Sequence, residues 1–159
     1  MKYAKLFTLL LVVLLINNTH AQVSVDAELR PRAEYRHGFK TLFNEGNDPT
    51  VFISQRTRLN TNYNTEKLKL KLSLQDVRVW GDVPTLNTSD NLGTSLHEAW
   101  AEISLNTKLF AKVGRQEINL DDQRIFGSVN WVQQARSHDV ALLKYKKEAF
   151  EMQFAIAYN

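Results

Sequence analysis

VSVDAELRPRAEYR, residues 23–36, alternates apolar and polar residues along its whole length. The odd-numbered positions are apolar, and six of the seven even-numbered positions carry a charge. Because successive side chains of a β-strand point to opposite faces, this pattern predicts a strand with one apolar face and one densely charged face. Pro31 cannot donate a ladder hydrogen bond, so we expect it to mark a bulge or an edge of the sheet.

Six further segments have a similar alternation and predict the remaining strands. They cover residues 51–63, 68–80, 97–105, 109–116, 139–145 and 149–158. Within the third strand the alternation slips near Gln75 and Asp76, which indicates a β-bulge there. No segment after residue 21 has an apolar stripe of helical period, so the sequence predicts an all-β fold for residues 22–159.

Long and short connections alternate between these strands. Residues 37–50, 81–96 and 117–138 are long connections, and residues 64–67, 106–108 and 146–148 are short ones. Outer-membrane barrels have short periplasmic turns and longer external loops, so this sorting favours a transmembrane, antiparallel, up-and-down β-barrel. A soluble antiparallel sheet with one buried face also alternates, and it remains the alternative.

The N-terminus has the three parts of a secretory signal peptide. Lys2 and Lys5 precede an apolar run over residues 6–16, and a polar stretch then ends at Ala21. The run is shorter than the ~20 residues of a membrane-spanning helix. We therefore expect residues 1–21 to be a signal peptide, and residues 22–159 to be the N-terminal part of a β-barrel domain in the outer membrane of a Gram-negative cell.

Seven strands is an odd number, whereas single-chain bacterial barrels use even numbers from eight upward. An open sheet edge facing lipid leaves backbone groups unpaired, at a cost of several kcal/mol each. We therefore expect these ~7 strands to be a fragment of a larger barrel. A barrel closed by other chains is the second possibility.

Composition narrows the choice of partners. The chain has 20 Lys and Arg against 17 Asp and Glu and no cysteine, so net charge gives no argument for nucleic-acid binding. No phosphate-binding loop or dinucleotide motif is present, and we expect no cofactor. Asp121, Asp122 and Asp139 are oxygen ligands of the type calcium uses, but their spacing is not that of an EF-hand, so we expect no metal site.

In a barrel the apolar face meets lipid and the charged face lines the lumen. Nine basic residues then point inward: Arg30, Arg32, Arg36, Arg56, Arg58, Lys69, Lys71, Arg78 and Lys112. Rings of basic side chains attract anions and set pore selectivity. The alternative is that these residues brace the wall through cross-strand pairs with the acids among them.

Residues 114–139 contain Gly-Arg-Gln-Glu-Ile, then Asp-Asp-Gln-Arg-Ile-Phe-Gly, then Trp131, Gln-Gln and Arg136, and end on His-Asp. This stretch resembles the alginate-export family of outer-membrane proteins. Residues 29–34, Leu-Arg-Pro-Arg-Ala-Glu, and residues 56–59, Arg-Thr-Arg-Leu, are also similar to that family. The resemblance implies a many-stranded, porin-like barrel whose arginine-rich lumen passes an anionic polysaccharide or oligosaccharide outward.

The resemblance also implies roles for particular side chains. Contact with carboxylates of the passing chain falls to Arg115, Arg124 and Arg136, together with the lumen residues Arg30, Arg32, Arg56, Arg58 and Lys112. Asp121, Asp122 and Asp139 brace the loop by pairing with arginines. Apart from the resemblance, side-chain chemistry alone suggests that Trp100 or Trp131 offers a stacking face for a sugar ring. Strict alternation aims Arg115 at lipid, unless Gly114 hosts a bulge that turns it inward. Without such a bulge, we expect Arg115 near the outer rim, where charge costs little.

Three other functions stay open. They are a general diffusion porin, a periplasmic or secreted carbohydrate-binding β-protein, and an enzyme on a barrel scaffold. The enzyme is disfavoured, because no Gly-x-Ser-x-Gly elbow is present and neighbours such as His97 and Glu98 point to opposite faces of a strand. We expect outer-membrane lipid and an acidic glycan as partners; partners in barrel assembly and periplasmic export are not identified by the sequence.

Overall fold

A computed structural model describes residues 22–38, 42, 46–86 and 93–159. Over these residues the chain forms one antiparallel sheet of seven strands in sequence order. The strands are β1 (Gln22–Arg36), β2 (Thr50–Asn64), β3 (Leu68–Val79), β4 (Ser95–Ser104), β5 (Leu109–Gln116), β6 (His138–Lys147) and β7 (Phe150–Ala157). The all-β prediction and the seven strands are confirmed. The predicted signal peptide lies outside the described residues.

Each strand pairs with the next along the chain, and the predicted alternation of short and long connections is confirmed. Among the described strands, β1 and β7 do not pair with each other, so the sheet is open. Pro31 lies opposite Gln55 without a register shift, and β1 has β2 as its one neighbour. Proline is tolerated there because an edge strand has one side free of ladder bonds.

The β-bulge is on a different strand from the one that the sequence indicated. The pairing of β2 with β3 runs without a shift through Gln75 and Asp76. The register changes instead between β3 and β4, where Ser73 faces Glu98 and Leu74 faces Leu96. His97 is therefore the extra residue, and the prediction of a bulge at Gln75 and Asp76 is wrong. The misplaced signal came from Val77 and Val79, which are apolar residues on the polar face.

Burial in this sheet is inverted relative to a soluble protein. The polar face is the covered one, with Arg56 1% exposed and Ser73 1% exposed. The apolar face is open, with Val25 62% and Phe154 65% exposed. Among the described residues, every buried side-chain nitrogen or oxygen has a hydrogen-bond partner, as buried polar groups require.

No helix in the described part of the chain is long and apolar enough to cross a membrane.

Candidate functional site

The most concentrated charge lies on the polar face of β1 and β2. Four side chains, here called the arginine cluster, lie there on two paired strands: Arg30, Arg32, Arg56 and Arg58. Arg30 is directly opposite Arg56, and Glu28 is directly opposite Arg58. The alternation of β1 and β2 sets this arrangement, because the even-numbered residues of both strands share one face.

The connection between β5 and β6 lies across this cluster. We call residues 117–137 the covering segment. Arg30 donates from Nη1 to the Asn130 carbonyl and from Nη2 to the Val132 carbonyl, both at 2.8 Å. Arg32 donates to the Trp131 carbonyl, also at 2.8 Å. Two arginines of β1 thus hold three successive carbonyls of the covering segment, about a hundred residues further along the chain.

Arg56 and Arg58 hold the same segment from β2. Arg56 donates to Asn130 Oδ1 at 2.8 Å and to the Gln133 carbonyl at 3.3 Å, and it forms a salt bridge with Glu28 at 2.6 Å. Arg58 donates to Gln75 at 2.9 Å and lies 3.9 Å from Glu117. These guanidinium groups are therefore buried and satisfied by the protein's own groups.

Gln133 is the most deeply inserted side chain of the covering segment, with 4% exposed. Its Oε1 accepts from Arg30 Nε at 3.0 Å. Its Nε2 donates to Ser54 Oγ at 3.0 Å and to the Ser54 carbonyl at 3.2 Å, with the Arg30 carbonyl at 3.3 Å. Gln133 thus ties the segment to both β1 and β2.

The backbone of the covering segment is strained. Positive φ angles occur at Asp121 (48°), Gln123 (64°), Val129 (51°) and Ala135 (57°). A positive φ is a clear outlier for a β-branched residue such as Val129. Such residues cost of order 1–3 kcal/mol each and persist where surrounding contacts fix them. The hydrogen bonds from the arginine cluster reach residues 130–134, directly between Val129 and Ala135.

A second polar network lies on β3, β4 and β5. Trp100 donates from Nε1 to Glu98 at 3.0 Å, and the Lys112 ammonium lies 3.8 Å from the centre of the Trp100 ring. Lys71 pairs with the other oxygen of Glu98. Trp100 and Lys112, both proposed from the sequence as site residues, are therefore in direct contact, and the cation occupies one face of the indole.

His97 and Glu98 are both buried, at 3% and 4% exposed. The expectation that these neighbours point to opposite faces is wrong, because the bulge at His97 interrupts the alternation. His97 Nε2 lies 2.8 Å from Glu117 Oε1, and potential ligand atoms of His97, Glu98 and Glu117 lie within 4.8 Å of one another.

The geometry of this trio suits a divalent cation, but its electrostatics do not. Arg58 and Lys71 already balance the two carboxylates. Burial opposes ionisation of Glu117, yet the hydrogen bond and charge of His97, with Asn119 and Arg58, hold the pKa of Glu117 below its usual value. We therefore interpret the trio as a structural contact and not as a metal site. It holds Glu117, the first residue of the covering segment after β5, against His97 and Glu98 of β4.

Arg115 does not turn inward. Gly114 has a φ of 123°, but the pairing of β5 with β4 and β6 continues through it without a bulge. Arg115 stays on the apolar side at the end of β5, where it donates to the Leu96 carbonyl at 3.1 Å and to Asp139 at 3.0 Å. Gly114 serves close packing instead, because a Cβ there would lie 2.2 Å from the Ala99 carbonyl oxygen.

The other site residues proposed from the sequence are exposed on the covering segment. Arg124 pairs with Asp122 at 2.6 Å, and both are largely solvated. Trp131 is 74% exposed, while Arg136 and Arg115 line one small cavity of about 280 Å³. Asp121 is exposed in a turn. The predicted pairing of arginines with loop acids thus occurs at Asp122 and Asp139.

A larger cavity of about 540 Å³ lies between the covering segment and the last residues of β1. Its lining includes Arg32, Glu34, Arg36, Phe52 and Gln133. Sequence reasoning missed Glu34, Phe52, Gln133 and Glu117 as members of the site. For Gln133 the sequence offered one signal, since the resemblance included a Gln-Gln pair between Trp131 and Arg136.

A known protein family matches this sequence. The family described as alginate export matches residues 21–157, which is nearly the whole chain. Among curated proteins, none matches the sequence. The match includes every strand and the complete covering segment. The chain therefore belongs to the alginate-export family.

Proposed function

We propose that the chain forms part of an outer-membrane β-barrel channel that passes an anionic polysaccharide, alginate-like in chemistry, along its arginine-bearing face. The observation that carries the proposal is the inverted burial of the sheet. Charged side chains such as Arg56 are covered, while large apolar side chains such as Val25 and Phe154 are more than half exposed.

An aqueous environment does not stabilise a sheet whose charged face is covered and whose apolar face is exposed. Contiguous exposed apolar surface larger than a few hundred Å² marks a protein or membrane interface. Apolar side chains face outward on all seven strands, from Val23 on β1 to Ile156 on β7. A lipid bilayer would cover this whole face at once. In a larger barrel, further strands would pair with the open edges of β1 and β7.

The charge of the polar face supports an anionic cargo. The salt bridges of the arginine cluster and Arg36 join five guanidinium groups to three carboxylates, an excess of two positive charges within this set. The groups are those of Arg30, Arg32, Arg36, Arg56 and Arg58, with Glu28, Glu34 and Glu117. Hydrogen bonds to backbone carbonyls fix the arginines without neutralising them. Guanidinium forks also match carboxylates bidentately.

The covering segment sets the width of the proposed passage. It lies on the polar face, which would be the lumen, and it is fixed there by buried bonds from two strands. In this proposal the signal peptide directs the chain out of the cytoplasm, lipid contacts the apolar face, and the protein moves its cargo without a catalytic step.

Single-channel conductance tests this function. The natural full-length protein is inserted into a planar bilayer, and an acidic oligouronate or a neutral oligosaccharide of equal length is added. We expect stable openings that the acidic sugar blocks and the neutral sugar does not. Openings indifferent to both sugars would support a general porin instead. Folded protein that never opens would refute a channel.

A further inference from the structure

The cavity of about 540 Å³ beside the covering segment has the size and the lining of a small-ligand site. Pockets for small ligands span roughly 300–1,000 Å³ and combine apolar walls with a few polar groups. Here Phe52, Val77 and Val79 supply apolar surface. Arg32, Arg36 and Arg78 supply positive charge, and Glu34 and Asp82 supply negative charge. A sugar ring that carries a carboxylate presents the same two kinds of surface.

Glu34 joins the two arginines inside this cavity. Arg32 donates from Nε to Glu34 Oε1 at 2.9 Å, and its Nη2 lies 2.8 Å from the same oxygen. Arg36 donates to Glu34 Oε2 from Nε at 2.9 Å and from Nη2 at 2.6 Å. Each oxygen of one carboxylate is thus held by one guanidinium fork.

Neighbouring groups fix these forks in place. Arg32 also donates to the Trp131 carbonyl, which orients its guanidinium plane. The Arg36 guanidinium carbon lies 4.6 Å from the centre of the Phe52 ring. Two oriented forks and an aromatic face form a carboxylate receptor whose acceptor, in this structure, is the protein's own Glu34.

We propose that this cavity is a subsite for one carboxylated sugar unit of the passing chain, and that Glu34 is a built-in competitor for its carboxylate. When a sugar carboxylate arrives, it takes the Arg32 and Arg36 donors, and Glu34 recovers them when it leaves. The inference rests on the proposed channel. It follows from a requirement of conduction, since a transported unit must bind well enough to enter and weakly enough to leave.

Glu34→Gln tests the competitor, with Asp26→Asn as the matched control. Asp26 lies on the same face of β1, eight residues and roughly 26 Å from Glu34, and it accepts from Asn60 at 2.8 Å. Both changes remove one negative charge from the polar face and keep the side-chain shape. The measurement is the dwell time of single blocking events by an acidic oligouronate in the full-length channel.

We expect Glu34→Gln to lengthen the dwell time on the order of tenfold, because a neutral amide competes less well than a carboxylate for charged donors. Asp26→Asn should change it less than twofold. An equal lengthening in both variants would mean that the dwell time depends only on the net charge of the polar face, and would overturn the inference. An unchanged or shorter dwell in Glu34→Gln would also overturn it, while selective block of the wild type by the acidic sugar would still support the channel.

Two further measurements keep the test clear. Arg36→Gln removes one fork and should shorten the dwell of the acidic sugar, whereas an unchanged dwell would place the sugar elsewhere. Unblocked conductance and heat-modifiable migration on gels show whether each variant is folded. A wild-type channel without selective block would count against the proposed function itself, before the subsite is tested.

Discussion

Gln133→Ala should release the covering segment without unfolding the sheet. The substitution removes one charge-assisted hydrogen bond, from Arg30 Nε at 3.0 Å. It also removes the donations of Nε2, whose two hydrogens are shared among acceptors on Ser54 and Arg30. No strand pairing depends on this side chain, so the effect should be confined to residues 117–137.

The size of the effect follows from these bonds. A hydrogen bond to a charged group contributes about 1.5–3 kcal/mol, and a neutral one about 0.5–1.5 kcal/mol. One bond to a charged group and two neutral bonds together give a loss in the free energy of segment release, and we take a value in the lower part of the summed range, about 3 kcal/mol. At 1.4 kcal/mol per factor of ten, the population of the released segment rises roughly a hundredfold.

Hydrogen exchange in the folded, detergent-solubilised full-length protein measures this release. The reporters are backbone amides that bond within the segment, Ser128 to Asn119, Val132 to Val129, and Arg136 to Ser128. Their exchange should accelerate roughly a hundredfold, as the estimated free energy requires. Gln153→Ala is the control, because that amide bonds to Glu151 on β7. Exchange within threefold of the wild type in Gln133→Ala would refute the assigned anchoring role.

Three other outcomes follow from the structure. Gly114→Ala should lower the folded yield far more than Gly81→Ala. Both positions have positive φ, but only at Gly114 does the new Cβ meet a backbone atom, the Ala99 carbonyl oxygen at 2.2 Å. Migration on gels without heating measures the folded fraction. The ionised Glu117 stabilises the folded protein above the ordinary carboxyl pKa of 4.5, and this stabilisation is lost as the pH falls through the lowered pKa of the folded state. Glu117→Gln should remove it, so urea unfolding at neutral pH and below pH 4.5 should show a lower free energy of unfolding for the variant at neutral pH alone. Arg115→Gln should alter block by an acidic oligouronate less than twofold, because Arg115 lies on the apolar face, where its exposed pair with Asp139 contributes little.

Each of these outcomes has a clear contradiction. Equal yields for the two glycine variants would mean that the contact with Ala99 is relieved by a backbone shift. If the difference in stability between Glu117→Gln and the wild type persists unchanged below the folded pKa, ionisation of Glu117 is not its cause. A large loss of acidic-sugar block in Arg115→Gln would return that residue to the cargo path, as the family resemblance implied.

The strands and their faces were predictable from the sequence because the signal is local. A period of two residues fixes which side chains share a face, and all seven strands agree with the predicted ones to within two residues at either end. Local reasoning failed at His97 for the same reason. One extra residue in β4 changes the alternation, and nothing near it in the sequence distinguishes the bulge from a regular strand.

Residues close together along the chain are enough to predict an all-β fold with one apolar and one charged face, the alternation of long and short connections, and membership of the family. The groups that the arginine cluster holds are visible in the folded molecule alone. Arg30 and Gln133 are 103 positions apart, and their contact depends on the covering segment folding back over β1 and β2. Hydrogen bonds of this kind join groups through space, so no periodicity along the chain records them, and the same folding back brings Arg32, Glu34 and Arg36 to the wall of one cavity with that segment.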